Sequence, residues 1–412
     1  MEYRLEEIAE FQKGYAFKSK DYINSGICKI VKVSDLTKDS IEFSKCVSIN
    51  ESDYEKYEQF SLNKGDIIIT TVGSWQYNPN SVVGKIVTVP DSSYKLLLNQ
   101  NNVRLRAYRF VKQKFLYYSL IGSKFREYIL NTAQGSANQA SITQKDIKSF
   151  YINVPDVKYQ KKIISIPNNI DKKIEINKKI IENLEAQAQA IFKSWFVDFE
   201  PFQDGNFVDS ELGSIPEGWE VVKFGDLFKF QKGKKPKNLL DYNAEESVPY
   251  IVKGVIDGSE RPSYTLEEKI IKIEDMDIFM LMDGANAGNI YYGYNGALGS
   301  TFSFLNIDDL EYREFIYWFL RTNEDYIRNQ NTGSAIPHAN KDFINNIRFA
   351  LPKNISKLSI LNYFKVIRTK VITLKQENQT LAQTRDTLLP KLMSGEIDVS
   401  NIKIDDEDID YE

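Results

Sequence analysis

Residues Ile163 to Phe196 read IISIPNNIDKKIEINKKIIENLEAQAQAIFKSWF. Apolar side chains fall at Ile163, Ile166, Ile170, Ile174, Ile181, Leu184, Ala188, Ile191 and Trp195, and polar Asn177 takes the turn where another is due. Steps of three and four place them on one stripe of a helix. The stripe returns at Ile360, Tyr363, Ile367, Val371, Leu374, Asn378, Leu381, Arg385, Leu388 and Leu392, each 197 positions after its counterpart, from 360 against 163 to 392 against 195. The chain is therefore a tandem duplication in which each copy ends in a long helix. Pro167 lies inside the first stripe, where a proline removes a hydrogen bond and crowds the preceding turn, so the helix is expected to start after it or bend there.

At 412 residues the chain is too long for one ordinary core and suits two or more domains. A hydrophobic content of 42%, with 13% aromatic, is ample for burial. No apolar run reaches the roughly 18 residues of a membrane span, and Met1 is followed by charged Glu2, Arg4, Glu6 and Glu7 rather than a signal peptide. A cytoplasmic protein with no membrane partner is the expectation. Two cysteines, Cys28 and Cys46, cannot staple two repeats, and one histidine, His338, excludes most zinc ligand sets, so no metal is expected. The net charge is −4, but Glu396 to Glu412 holds eight acids and one base, and −4 against −7 leaves +3 on the rest. Such a block reads as a solvated, disordered acidic tail (396–412).

The first unit is expected over 1–155, with β-type runs at Ile27–Val33, Asp66–Val72, Val82–Val89 and Val103–Ala107 and an amphipathic helix over Phe115–Leu130. A second unit over 218–352 repeats its landmarks. Phe11-Gln12-Lys13-Gly14 returns as Phe230-Gln231-Lys232-Gly233, Ile30-Val31-Lys32 as Ile251-Val252-Lys253, Asp66-Ile67 as Asp277-Ile278, and Gly135-Ser136-Ala137 as Gly333-Ser334-Ala335. The loops between differ: Gly73–Asn78 faces Gly284–Asn289, and Asn138–Ser141 faces Ile336–Ala339. One scaffold with altered loops suits two readers of different targets. The spacer helices are assigned to 156–197 and 353–395, with a non-helical connector at 198–217 that carries Pro201, Gly205, Gly213 and Pro216.

A catalyst would show its reagents. No Gly-x-Gly-x-x-Gly, no Gly-x-x-x-x-Gly-Lys and no Asn-Pro-Pro-aromatic motif occurs, and Asn78-Pro79-Asn80 is only a fragment of the last. Asp257 with Glu267 and Lys269 loosely fits the carboxylates and lysine of a magnesium-dependent nuclease, a pattern that surface charge readily produces in a chain that is 27% charged. His338 beside Ser334 offers a base and a nucleophile, against the blander reading of a loop histidine facing DNA or solvent. No catalytic residue is assigned.

The helix ends carry a longer signal. Ala190-Ile191-Phe192-Lys193-Ser194-Trp195-Phe196-Val197-Asp198-Phe199-Glu200-Pro201, then Leu212-Gly213-Ser214-Ile215-Pro216-Glu217-Gly218-Trp219, resembles the central region of type I restriction-modification DNA specificity subunits. Leu388-Leu389-Pro390-Lys391-Leu392-Met393-Ser394-Gly395-Glu396-Ile397 resembles their distal region. Gly14-Tyr15-Ala16-Phe17-Lys18-Ser19, Gly65-Asp66-Ile67-Ile68, Leu98-Asn99-Gln100 and Gly135-Ser136 match parts of their target recognition domains, although the second unit has Gly299-Ser300 in place of the Asn-Gln pair. The resemblance implies an α+β fold of two tandem target recognition domains separated by two long antiparallel helices, a coiled-coil spacer with approximate two-fold symmetry. It implies a non-catalytic subunit that binds a two-part double-stranded DNA sequence, holds two modification subunits and joins restriction subunits. S-adenosylmethionine, ATP and magnesium are then expected on the partners and no cofactor on this chain. A stand-alone DNA-modifying or cleaving enzyme, and a scaffold with no DNA role, are the alternatives.

In that setting a helix from about Asn168 to Val197 would span roughly 45 Å, close to about 13 base pairs. Asn177 and Asn378 either fix the register of the helix pair or lie at the solvent edge of its seam. Lys13, Lys18, Lys20, Lys232, Lys234, Lys235 and Lys237 suit phosphates, since lysine neutralises charge without reading sequence. Tyr15 and Trp75 join them as aromatic DNA contacts. Base reading falls to forked side chains: Gln76, Asn78, Asn138 and Gln139 in the first unit, and Asn286, Asn289, His338 and Asn340 in the second. Phe192, Trp195, Phe196, Leu389 and Met393 exceed what a two-helix seam buries, so they are expected to dock the modification subunits, with an intramolecular core as the competing reading.

Overall fold

The computed structural model describes all residues except 38–39, 76–82, 137–138, 259, 308, 334–335 and 404–412. The chain divides into two compact units, Met1–Lys173 with Leu381–Glu412, and Ile174–Thr380. Each unit thus combines one α+β domain with a segment of each long helix.

In the first unit, strands Ala9–Lys13, Asn102–Ala107, Ile67–Thr70 and Ile86–Thr88 form an antiparallel sheet in that spatial order. A second sheet runs Val47–Ile49, Cys28–Val31, Lys95–Leu98, Ser61–Leu62, with its two middle strands parallel. Ile67, Ile68 and Ile69 are all buried. A continuous apolar run of this kind is what a strand covered on both faces requires. Ile67 and Ile69 face the core that holds Phe115 and Ile163, while Ile68 faces Val31 and Leu98. The second unit repeats the plan. One sheet runs Lys229–Lys232, Phe302–Asn306, Phe279–Leu281, Ile290–Tyr291, and the other Tyr264–Thr265, Val248–Ile251, Gly296–Leu298, Lys272–Ile273, again with the middle pair parallel.

The motif glycines sit where strand meets strand. A Cβ on Gly14 would lie 2.0 Å from the Asn99 carbonyl oxygen, and one on Gly233 would lie 2.3 Å from that of Gly299. Only glycine lets these backbones close, which explains its recurrence in both copies. The shared aspartates have a matching duty. Asp66 accepts from the Asn63 amide and Asp277 from the Glu274 amide, each closing a turn three residues back. Asp66 also takes both arms of Arg106 at 2.6 and 2.8 Å, which holds that guanidinium above its usual range.

The central helix spans Val157–Phe196 and the distal helix Ile360–Ser394. Within the first unit Ile163 and Ile164 share a core with Leu389 and Leu392, and Asp171 pairs with Arg385 at 2.6 Å while accepting from the Tyr118 hydroxyl at 2.7 Å. Within the second, Ile181, Ala188 and Phe192 share a core with Leu374, Ile367 and Phe364. Both segments pair antiparallel, since rising numbers on one helix meet falling numbers on the other. Asn177 is fully buried, and its amide donates to Asn378 Oδ1 at 2.9 Å and Glu377 Oε2 at 2.8 Å. It therefore lies in the seam and not at its solvent edge.

Several expectations need correction. The central helix runs through Pro167 without ending, with Ile163 and Ile164 buried in the core at the turn before it, which holds that turn against the lost hydrogen bond. The Phe115–Leu130 helix is two helices, Gln113–Leu120 and Ser123–Thr132, separated at Gly122, whose extended backbone caps the second. The connector is a non-helical β-hairpin over most of its length, Phe207–Ser210 with Gly213–Pro216, and departs from the expectation only in the short 3-10 turn Glu200–Phe202. The acidic end does not begin as a loose tail. Val399 is fully buried in the first unit's core, with Ile397 and Ile402 against it and Lys162 donating to the Ser400 carbonyl. The apolar residues alternating among the acids supply that anchor.

Candidate nucleic-acid interface

In the first unit Lys13 ends its strand exposed, Gly14 makes the tight crossing, and Lys18 and Lys20 are exposed around the short Ser19–Asp21 turn. Tyr15 is half-buried among Phe17, Tyr57 and Phe60, with ring centroids 5.0 to 5.1 Å apart. Its ring supports the lysine-bearing loop from beneath. The Val72–Gly73 strand pairs with Gln139–Ser141, which pairs with Gln134–Ser136, giving a three-stranded ribbon. Gln139 is exposed on this ribbon, and Trp75, just beyond Gly73, is partly buried against the core. Gly135 is obligatory there, since a Cβ would fall 2.0 Å from the Gln139 carbonyl oxygen. Gln76, Asn78 and Asn138 lie outside the described residues.

The second unit builds a shorter version of that ribbon from bridges pairing Asp283 with His338 and Thr332 with His338. Lys232, Lys234, Lys235 and Lys237 are exposed, and Lys232 Nζ lies 3.9 Å from Asp283 Oδ2 in that ribbon. His338 is half-exposed, and its Nδ1 lies 2.8 Å from Asp283 Oδ1. Ser334 lies outside the described residues, so the base-and-nucleophile pairing has no geometry. Asn286 and Asn289 belong to one tight turn, the Asn289 amide donating to the Asn286 carbonyl, and Asn289 Oδ1 is buried with no partner among the described residues. Asn340 caps the Lys341–Asn346 helix, its Oδ1 accepting from the Phe343 amide at 3.0 Å. That oxygen is committed to the fold. Sequence reasoning missed Asp283, whose partner is 55 residues away. The carboxylate beside Gly284 in the variable loop was its one signal.

The helix-end residues do not form a free docking patch. Phe192 and Phe196 are buried in the second unit's core, in tilted and edge-to-face contact with each other and with Phe315 at ring-centroid distances of 5.0 to 5.4 Å, with Phe196 also 5.9 Å from Trp219. Leu389 is buried in the first unit's core. The counting of seam positions failed because each helix end packs on its α+β domain as well as on the other helix. Trp195 and Met393 are partly buried against the same cores. Phe199, in the left-handed region at φ 54°, turns the chain out of the central helix and packs 5.2 Å from Trp219.

The nuclease-like trio does not assemble either. Asp257 pairs with Lys253, and Glu267 accepts the amides of Lys237 and Asn238, holding the lysine loop in shape. Among the described residues no group of three His, Cys, Asp or Glu side chains converges to hold a metal. No described helix is long and apolar enough to cross a membrane.

A duplicated α+β chain with two long helices, and with lysine- and amide-bearing loops on each copy, defines a protein with two recognition domains. The family model for the type I restriction modification DNA specificity domain matches residues 1–186 and 216–383, and the chain belongs to that family, that of the non-catalytic specificity subunits. It is 25% identical over 395 residues to the putative type I restriction enzyme MjaX specificity subunit of Methanocaldococcus jannaschii, covering 93% of this chain and 90% of that one. It is 30% identical over 199 residues to the MjaVIII specificity subunit of the same organism, a match spanning about half of each chain (47% and 46%). A crystal structure of the type I restriction-modification S subunit from M. genitalium aligns over 95% of both chains at 18% identity and a TM-score of 0.49.

Proposed function

We propose that each unit reads one half of a bipartite duplex target, and that the chain holds two adenine-methylating subunits and the restriction subunits of a type I complex. S-adenosylmethionine, ATP and magnesium act on those partners. One observation carries the reading: the two units share their sheets strand for strand, yet the ribbon presents Gly73 and Val72 opposite Ala140 and Ser141 in one and Asp283 opposite His338 in the other. A kept frame with changed tips is what two different half-sites demand. Lysines fix register on phosphates, and Gln139, Asn286 and His338, with Gln76, Asn78 and Asn138, meet base edges. The helices that join the units leave the bases between half-sites unread. Partner docking falls to solvent-facing apolar residues of the helices, Ile176 and Ile180 on the central one and Tyr363 and Val366 on the distal one, in place of the buried Phe192, Phe196 and Leu389.

The test is sequence selection by the chain assembled with its methylating partner. Gln139→Ala changes preference in one half-site only. Lys235→Glu weakens every sequence and lowers the salt slope by about 0.9 for each phosphate that is no longer neutralised. Unchanged profiles for both variants refute the assignment.

A further inference from the structure

We infer that Asp283 is a positioning residue that decides which nitrogen of His338 meets DNA, and thereby the base preferred at one position of the second unit's half-site. The inference rests on the half-site reading above. His338 Nδ1 lies 2.8 Å from Asp283 Oδ1. An ionised carboxylate only accepts, so Nδ1 carries the proton, and the neutral ring keeps a lone pair on Nε2. Carboxylates fix the tautomer of metal-binding histidines in this way, and no metal is needed for the effect. Nε2 has no partner among the described residues and turns away from the carboxylate.

The backbone holds both partners. His338 and Thr332 exchange amide bonds at 2.7 and 2.9 Å, Gly284 donates to the Pro337 carbonyl at 2.9 Å, and Ala339 to that of Met282 at 2.9 Å. Lys232 Nζ stands 3.9 Å from the other Asp283 oxygen. A cavity of about 330 Å³ opens here, lined by Lys232, Asp283, Thr332, His338, Asn340 and Lys341 among others. An acceptor at its mouth meets the exocyclic amines of adenine N6 or cytosine N4 and opposes the acceptors of guanine and thymine. The first unit pairs Val72 with Ser141 and Gly73 with Ala140, so the device belongs to the second reader alone.

His338 is the only histidine in the chain, so its ring nitrogens can be followed without assignment. Long-range proton–nitrogen spectra of the full chain with labelled histidine, recorded where the ring is neutral, are expected to show Nδ1 protonated and Nε2 bare. Asp283→Ala returns the ring to the ordinary Nε2–H form, and Asp283→Glu restores the wild-type pattern. In sequence selection with the methylating partner, Asp283→Ala and His338→Gln each relax the adenine-or-cytosine preference at one position about tenfold, the scale of one good base contact. The other half-site stays unchanged. An Nε2–H ring in the wild type, or a switched tautomer with unchanged preference, overturns the inference alone. Failure of every loop variant, Gln139→Ala and Lys235→Glu included, overturns the half-site reading with it.

Discussion

Replacing Arg368 by alanine is expected to unfasten the second domain from its helices. Arg368 is fully buried; it donates to Glu314 Oε1 at 3.2 Å and the Met276 carbonyl at 2.8 Å, and lies 4.8 and 4.5 Å from the ring centres of Tyr292 and Tyr317. Burial pushes the Glu314 carboxyl above its usual range, and Arg368 is the main cation pulling it back. Arg368→Ala leaves that carboxylate buried with only the Arg313 Nε, 3.9 Å away and not hydrogen-bonded to it, as a close counter-charge, and breaking a buried pair in this way costs about 3–5 kcal/mol. For a unit of this size that is roughly 6–20 °C in Tm. Arg368→Met with Glu314→Gln removes both charges and recovers most of the loss. Unfolding followed by tryptophan fluorescence reports on it directly, since Trp195, Trp219 and Trp318 all lie in this unit. The pH dependence has a definite sign. A carboxyl whose folded pKa is raised binds more protons folded than unfolded, so its penalty is present above the folded pKa and fades as pH falls through it. The Arg368→Ala deficit therefore shrinks on acidification. A loss below about 1 kcal/mol, or a double variant no better than the single one, would refute the reasoning.

Gly14→Ala and Gly233→Ala each drive a methyl into a facing carbonyl, and each is expected to cost at least about 1–3 kcal/mol by thermal unfolding. Asn177→Leu replaces a buried amide, whose Oδ1 has no partner among the described residues and whose two acceptors, Glu377 and Asn378, are half-exposed and can turn to water; urea unfolding is expected to show a gain on the order of 1 kcal/mol, and a comparable loss would show that the two hydrogen bonds outweigh the cost of burying the amide. Burial pushes the Cys28 thiol up to about 11 and the Cys46 thiol up to about 12, so neither reacts with a thiol reagent at pH 8 until denaturant is added, when both do.

The seam and the duplication were legible because burial imposes a period and both copies carry it in their sequence. The β-type run at Asp66–Val72 was legible in the same way and contains the buried strand Ile67–Thr70, whereas its counterpart Phe279–Leu281 was not legible as a strand. What escaped was set by distant partners. Phe192 and Phe196 read as surplus because Phe315 and Trp219, which cover them, lie far along the chain. Pro167 and Val399 follow tertiary contacts that override local rules. The base-reading candidates were legible only as residue types; Asn340 turned out to cap a helix, and the Asp283–His338 pair needed coordinates.

The most direct measurement is the map of methylated adenines produced by the assembled complex, with and without substitutions in one unit. The account predicts a bipartite motif with an unread gap, and loop changes in residues 283–289 that alter one half while the other half and the gap persist. A continuous motif, or a change in both halves from one unit's loops, would contradict it.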